Sequence, residues 1–412
     1  MARTTAGAGR SRTQVISMCS VPAQSLTFIN AQMGSGETGS LRIVGSRIAA
    51  LHEGPKAGDQ ILDLQGDWIL PGLINAHDHL QLNSLPALES DKQYRHVRAW
   101  IRDVDARRHS DPEFEACVAV PREARLLIGG VKNLLSGVTT VAHHDRLYRP
   151  LLNPDYPTRV VERYGWSHSL YVDGEPNVSR SYRRTPTALP WIIHVAEGLD
   201  DEAVNEFDRL EMLGCLGPNT LIVHGIALDR ARRMRLEGAG AGLIWCPSSN
   251  LRLFGKTADV ADLAAHGRVA LGTDSRLSGA RDLLDELRAA REIGGFDGPM
   301  LESLVTRRSA QLLRLADRGT LGVGARADIL VLPAEAPLGR AARADVRLVL
   351  EGGIVRYGDA QYAREVAQAS SCTEVLVDGR AKILDRRVAA LLSSAGASEP
   401  GLEIPKAIGR AA

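Results

Sequence analysis

The sequence predicts an α/β protein, a parallel sheet covered by helices and inserted into a smaller β domain assembled from both chain ends. Three observations predict it. Between Leu73 and about Ala316, short apolar runs of strand length alternate with longer helical patterns. Those runs are apolar throughout, the pattern of parallel strands buried between two helix layers. On either side, from Ser25 to Leu70 and after about Gly319, short strand-like runs are separated by turn residues.

Taken in order, residues 1–13 are rich in Gly, Ala, Arg, Ser and Thr and are expected to be disordered. Residues 14–70 carry the first β runs, at 26–29, 40–44 and 47–51, and that texture stops at Leu70-Pro71-Gly72. The inserted domain, 71–319, has its clearest strands at 137–142, 191–195, 220–224, 242–246 and 269–273. Helical patterns lie between them, as at 201–213 and 281–293. Such alternation implies a doubly wound sheet or a (β/α)8 barrel. β runs return at 327–332, 346–350 and 353–356, so 320–390 is expected to join 14–70 in one small β-sandwich. The tail, 391–412, is small and polar and is expected to be mobile. Residues 171–190 leave too little chain for a strand's end, a whole further strand and a helix, so the fourth β/α unit is expected to be truncated.

Composition narrows the function. Hydrophobic residues make up 44% and charged residues 24%, as in an ordinary globular protein. Lys plus Arg is 50 against Asp plus Glu at 49, so no net field points to nucleic acid or to an anionic membrane. No run approaches the ~18 apolar residues of a membrane span, and Met1 to Gln14 lacks the apolar core of a secretory leader. The five cysteines are odd in number and form no CxxC pair, which argues against a disulfide framework or a cysteine zinc site. A cytoplasmic location is expected.

Four short segments carry chemistry. In Pro71-Gly72-Leu73-Ile74-Asn75-Ala76-His77-Asp78-His79, two histidines at i and i+2 follow an apolar strand. A bare His-x-His is common on surfaces, but a strand's carboxyl end allows both rings to reach one cation. His194-Val195-Ala196-Glu197, Val223-His224-Gly225 and Gly272-Thr273-Asp274 each follow a further apolar strand. That is where barrel enzymes place catalytic groups. A single histidine there is more often structural, and an Asp after Gly-Thr is commonly a helix cap. Four such placements in order are hard to explain that way.

With these motifs the chain resembles the amidohydrolase superfamily, in particular the branch of adenosylhomocysteine, guanine and cytosine deaminases and triazine hydrolases. The resemblance runs from the flanking strands to Gly324-Ala325-Arg326-Ala327-Asp328. It implies the (β/α)8 barrel and metal ligands His77, His79, His194 and Asp274. It also implies that Glu197 shuttles a proton and that His224 polarises substrate or water. Cys246-Pro247-Ser248-Ser249-Asn250 resembles a supporting segment beside the pocket. Three neutral imidazoles and a carboxylate suit Zn²⁺, or Fe²⁺, with a position left for water. Such an ion lowers the pKa of water from about 15.7 towards about 7. No lysine stands at a fourth-strand end to bridge two metals, so one ion is expected.

The implied function is hydrolysis at an sp² carbon bearing nitrogen, with deamination of a heterocyclic amine or amidine leading. Amide or ring C–N hydrolysis and triazine-type dechlorination are the enzymatic alternatives. A non-catalytic scaffold of the same fold is the alternative of another class. A small-molecule substrate and a homodimer are expected. Gln81, Asn83 and Tyr94, on a loop after the metal pair, are candidate substrate contacts, as are His143, His144 and His168 near strand ends. For His143 and His144 plain strand packing is equally compatible. Ser278 and Arg276 face the pocket or cap a helix. His52, His96, His109 and His266 lie in surface-like contexts.

Overall fold

The computed structural model describes residues 25–34, 36–87, 92–366 and 368–405. The expectations for residues 1–24 and for 406–412 lie outside the described residues. Eight parallel strands form the inserted domain: β1 Leu73–Asp78, β2 Val138–His143, β3 Arg159–Val160, β4 Gly165–Ser169, β5 Trp191–Val195, β6 Thr220–His224, β7 Gly242–Trp245 and β8 Val269–Leu271. Their two faces differ, because successive side chains point oppositely. Trp191, Ile193 and Val195 of β5 pack outward with Phe207 and Leu210 of the following helix. Ile192 meets Ile74, Ala142, Val223, Ile244 and Ala270 in a separate cluster drawn from the other strands.

The ladder does not run all the way round. β1, β2 and β3 form one sheet and β4 to β8 another, so the expected barrel is not closed by hydrogen bonds. At the β8/β1 seam the Asp274 N–H donates to His77 O at 3.1 Å. A Cβ on Gly272 would fall 2.6 Å from His77 Cβ, so only glycine permits this approach. The other seam, β3/β4, follows from shortened units. Between β2 and β3 the one helical element is the 3₁₀ turn Arg149–Leu152, and residues 161–164 alone join β3 to β4.

The truncation therefore falls in units two and three and not in unit four. β4 is followed by helices Leu170–Asp173 and Glu175–Arg184, a full unit. Gly165, Trp166 and His168 are only half-buried, so this strand leaves no continuous apolar run in the sequence.

Both flanks enter one 11-stranded sheet, joined where Trp68–Pro71 pairs antiparallel with Ile329–Leu332. The hydrogen bonds thus describe a single sheet and not the two of a sandwich. Its core holds Phe28, Leu41, Ile69, Ile329 and Val355.

The tail is ordered well past residue 391. Helix Arg386–Ala395 packs on helix Arg122–Leu135, beside the loop that replaces the missing second-unit helix. Arg387 Nη1 lies 3.0 Å from Asp155 Oδ1 in that loop. Glu399, 1% exposed, accepts from Arg343 Nη1 at 2.8 Å and Arg276 Nη2 at 2.7 Å. A polar composition hid this, because the partners of one buried carboxylate are set by distant chain. Among the described residues, no helix is long and apolar enough to cross a membrane.

Candidate metal centre and active site

The carboxyl ends of β1, β2, β4, β5 and β6 bring six imidazoles together: His77, His79, His144, His168, His194 and His224. Three strand ends turn sharply to do so. Ala196, His224 and Asp274 have φ of 58°, 72° and 53°, left-handed values that non-glycine residues adopt at a cost. His77, His79, His144 and His194 each offer a ligand nitrogen, all within 4.8 Å of one another. His194 Nε2 lies 3.3 Å from both His77 Nε2 and His79 Nε2. Asp274 Oδ1 is 3.8 Å from each of the same two nitrogens.

Neighbouring groups set the tautomers. His194 Nδ1–H donates to His168 O at 2.8 Å, which leaves its Nε2 lone pair facing the cluster. His144 Nε2–H donates to Ser167 O at 2.9 Å, and its buried Nδ1 has no protein partner. Two consecutive carbonyls of β4 thus orient two rings. His224 Nδ1–H donates to Asn250 Oδ1 at 2.8 Å, and its Nε2 stands 3.5 Å from Glu197 Oε1. Asp274 Oδ2 accepts from Ser249 Oγ at 2.8 Å and Ser278 Oγ at 2.6 Å, which leaves Oδ1 towards the imidazoles.

Burial dominates the electrostatics. It drives His79, His144 and His194 well below the usual histidine range, and His224 to about 4. All four are therefore neutral and able to donate lone pairs. Burial, reinforced by the charges of Asp274 and Glu206, pushes Glu197 well above the carboxylate range. Burial alone would raise Asp274 too, but the neighbouring imidazoles of His77, His79 and His224 hold it well below.

These residues fit a divalent cation. Ligand nitrogens at 2.0–2.1 Å around a tetrahedral ion stand about 3.3–3.4 Å apart. His194 Nε2, whose lone pair faces the cluster, stands at that separation from both other ring nitrogens.

Four candidates stay outside the cluster. Gln81 Nε2 donates to Asp145 Oδ2 at 2.9 Å. Asn83 is buried; its amide donates to Asp78 Oδ1 at 2.8 Å and accepts from Lys132 Nζ at 2.8 Å and the Arg276 N–H at 2.9 Å. Those bonds use the whole amide internally, so Asn83 is not placed to touch a substrate. Tyr94 donates to Asp103 Oδ2 at 2.9 Å and packs with Val97, Ile226 and Leu253. His143 accepts the Leu80 N–H at 3.4 Å and faces Tyr148. His144 and His168 do join the cluster, with ring centroids 4.4 and 4.8 Å from that of His194.

Sequence reasoning missed several supports. Lys132 is fully buried beneath the site and binds Asp78 Oδ2 at 3.2 Å and Thr273 Oγ1 at 3.2 Å. Its signal was a charge on the apolar stripe of helix Arg122–Leu135, in line with Ile128 and Leu135. His96, read as superficial, is 6% exposed and lies 3.7 Å from Glu206 Oε1.

Neutral imidazoles and a carboxylate converging at the carboxyl ends of parallel strands, with a buried second carboxyl group beside them, define a metal-dependent hydrolase. Comparisons with known proteins agree. The model described as "Amidohydrolase family" matches residues 189–375. An 8-oxoguanine deaminase of Pseudomonas aeruginosa is 34% identical over 335 residues, covering 63% of this chain and 73% of the relative. A 5-methylthioadenosine/S-adenosylhomocysteine deaminase of Shouchella clausii is 24% identical over 393 residues, covering 81% and 85%. Among solved structures, an adenosine deaminase of Xanthomonas campestris with bound zinc superposes with TM-score 0.69 at 17% identity, covering 91% and 97%. The chain belongs to the amidohydrolase family.

Proposed function

We propose that this protein hydrolytically deaminates an aminopurine or a kindred heterocyclic amine. The observation that carries this reading is the Glu197–His224 pair, 3.5 Å apart at the edge of the imidazole cluster. The names of the relatives support the substrate class. His77, His79, His194 and Asp274 hold one divalent cation, with zinc the fitting ion and His144 a further donor at the same centre. A cation there supplies a Lewis acid and makes water acidic enough to react near neutral pH.

The remaining work falls to this chain's own groups. Glu197 Oε1 takes the proton that water must lose and returns it to the leaving nitrogen, so that ammonia departs as the ring carbon becomes a carbonyl. Its burial suits this task, since a carboxyl with a raised pKa can hold a proton near neutrality. His224 Nε2, kept as an acceptor by the Asn250 bond, receives a hydrogen bond from water or from the substrate's amino group. Ser249 and Ser278 fix Asp274 so that one oxygen alone faces the cluster.

The test is ammonia release by zinc-reconstituted protein from a panel of aminopurines, aminopyrimidines and aminotriazines. Turnover of an aminopurine, abolished by a chelator and restored by Zn²⁺, is the expected result. Ring opening without ammonia, or chloride release alone, would replace this reading with one of the other hydrolytic reactions.

A further inference from the structure

We propose that Glu206 is a positioning residue for Glu197, an inference that rests on the proton-carrying role given to Glu197 above. Glu206 lies on helix Asp201–Met212, outside the imidazole cluster, and is 3% exposed. Its Oε2 accepts the backbone N–H of Ala196 at 2.8 Å. Ala196 is the residue between β5 and Glu197 that adopts φ 58°. This left-handed step turns the chain out of the strand direction and brings the Glu197 carboxylate to His224. An alanine has no preference for that conformation, so something outside the loop must hold it.

The second oxygen faces another part of the same loop's support. Glu206 Oε1 is 3.7 Å from His96 Nε2, which is buried and has no hydrogen-bond partner. His96 Nδ1 accepts the Arg98 N–H at 3.2 Å, so the proton sits on Nε2 and points at Glu206. His96 belongs to the segment that clamps the Glu197 loop. The Val97 N–H donates to Glu197 O at 3.2 Å and the Leu199 N–H to Arg95 O at 2.7 Å. Gly198 leaves room for this closure, since a Cβ there would lie 2.8 Å from Arg95 O. One buried carboxylate thus meets both the turn that aims Glu197 and the clamp that covers it. Among the described residues no lysine or arginine forms an ion pair with Glu206.

The experiment compares Glu206→Ala, Glu206→Gln, Ala196→Gly and Ala196→Gly/Glu206→Ala in the zinc-loaded full chain. Three things are read: zinc content, backbone amide exchange at Ala196, and ammonia release from an aminopurine, with 8-oxoguanine the first probe. Glu206→Ala is expected to lower kcat about 10- to 100-fold, as loss of a supporting bond does, with KM and zinc stoichiometry unchanged and faster exchange at Ala196. Glu206→Gln, whose amide oxygen can accept the same N–H, should restore both exchange protection and kcat. Ala196→Gly/Glu206→Ala should come within about threefold of Ala196→Gly, because glycine takes φ near +60° unaided. Slow exchange and full kcat in Glu206→Ala would overturn the proposal. So would zinc loss that accounts for the deficit, or a deficit that neither Gln nor the glycine relieves. If Glu206→Ala does not fold, Glu206→Gln and the glycine double variant decide. Glu197→Gln, assayed in parallel, separates the two readings. An active Glu197→Gln removes the proton-carrying role, whereas an inactive one beside a fully active Glu206→Ala removes only the role of Glu206.

Discussion

Glu197→Gln should lower kcat by about a hundred- to ten-thousand-fold while the protein keeps its full complement of divalent metal. General acid–base catalysis by one positioned group contributes about that much, or roughly 3–5 kcal/mol of activation free energy. Glutamine preserves the volume of the side chain and can still accept a hydrogen bond, but it cannot carry a proton between water and nitrogen. The ligand nitrogens of His77, His79 and His194 are untouched by the change, so metal analysis should give the wild-type stoichiometry. KM should move little, because the reaction needs the proton in the transition state and not for binding. Wild-type kcat in a fully metallated Glu197→Gln protein would remove the central role given to this residue.

Lys132→Met should cost about 3–5 kcal/mol of folding stability, the penalty for breaking a buried ion pair from one side. Lys132 and Asp78 are both fully buried, 3.2 Å apart. Methionine fills much the same space but leaves the Asp78 carboxylate facing only the amides of Asn75, Asn83 and Asn133 and the Thr273 hydroxyl. Urea titration reads the change as a lower midpoint. Adding Asp78→Asn should recover part of the loss, because no uncompensated charge then remains. A midpoint shift equivalent to under about 1 kcal/mol would mean that the amides alone satisfy Asp78.

How much of this could be read in advance differs by element. Apolar strands flanked by long helices announced themselves, as at Trp191–Val195 and Thr220–His224, because burial on both faces leaves a continuous hydrophobic run. β3 and β4 did not. β3 is two residues long and β4 is only partly covered, so neither leaves that imprint, and the truncation expected in unit four lies in units two and three. Residues chosen only because they follow a strand divided in two. His144 and His168 reached the cluster, while His143, one position away, faces Tyr148. A single residue's step along a strand end reverses the direction of its side chain, and no composition records which direction is used.

Strand-sized apolar runs and polar groups placed directly after them were written into the order of residues, since hydrophobic period and motif spacing are local properties. With them came the α/β class and the family. What the chain order left open was how the seams at β3/β4 and β8/β1 open the sheet, how Glu399 locks the tail to Arg343, and which carboxylates and cations support the site from below. Lys132 and Asp78 are 54 positions apart, and Glu206 meets the backbone of Ala196 from the next helix. Such contacts depend on three-dimensional distance, and burial then turns each of them into a strong interaction that the same residues would not have in water.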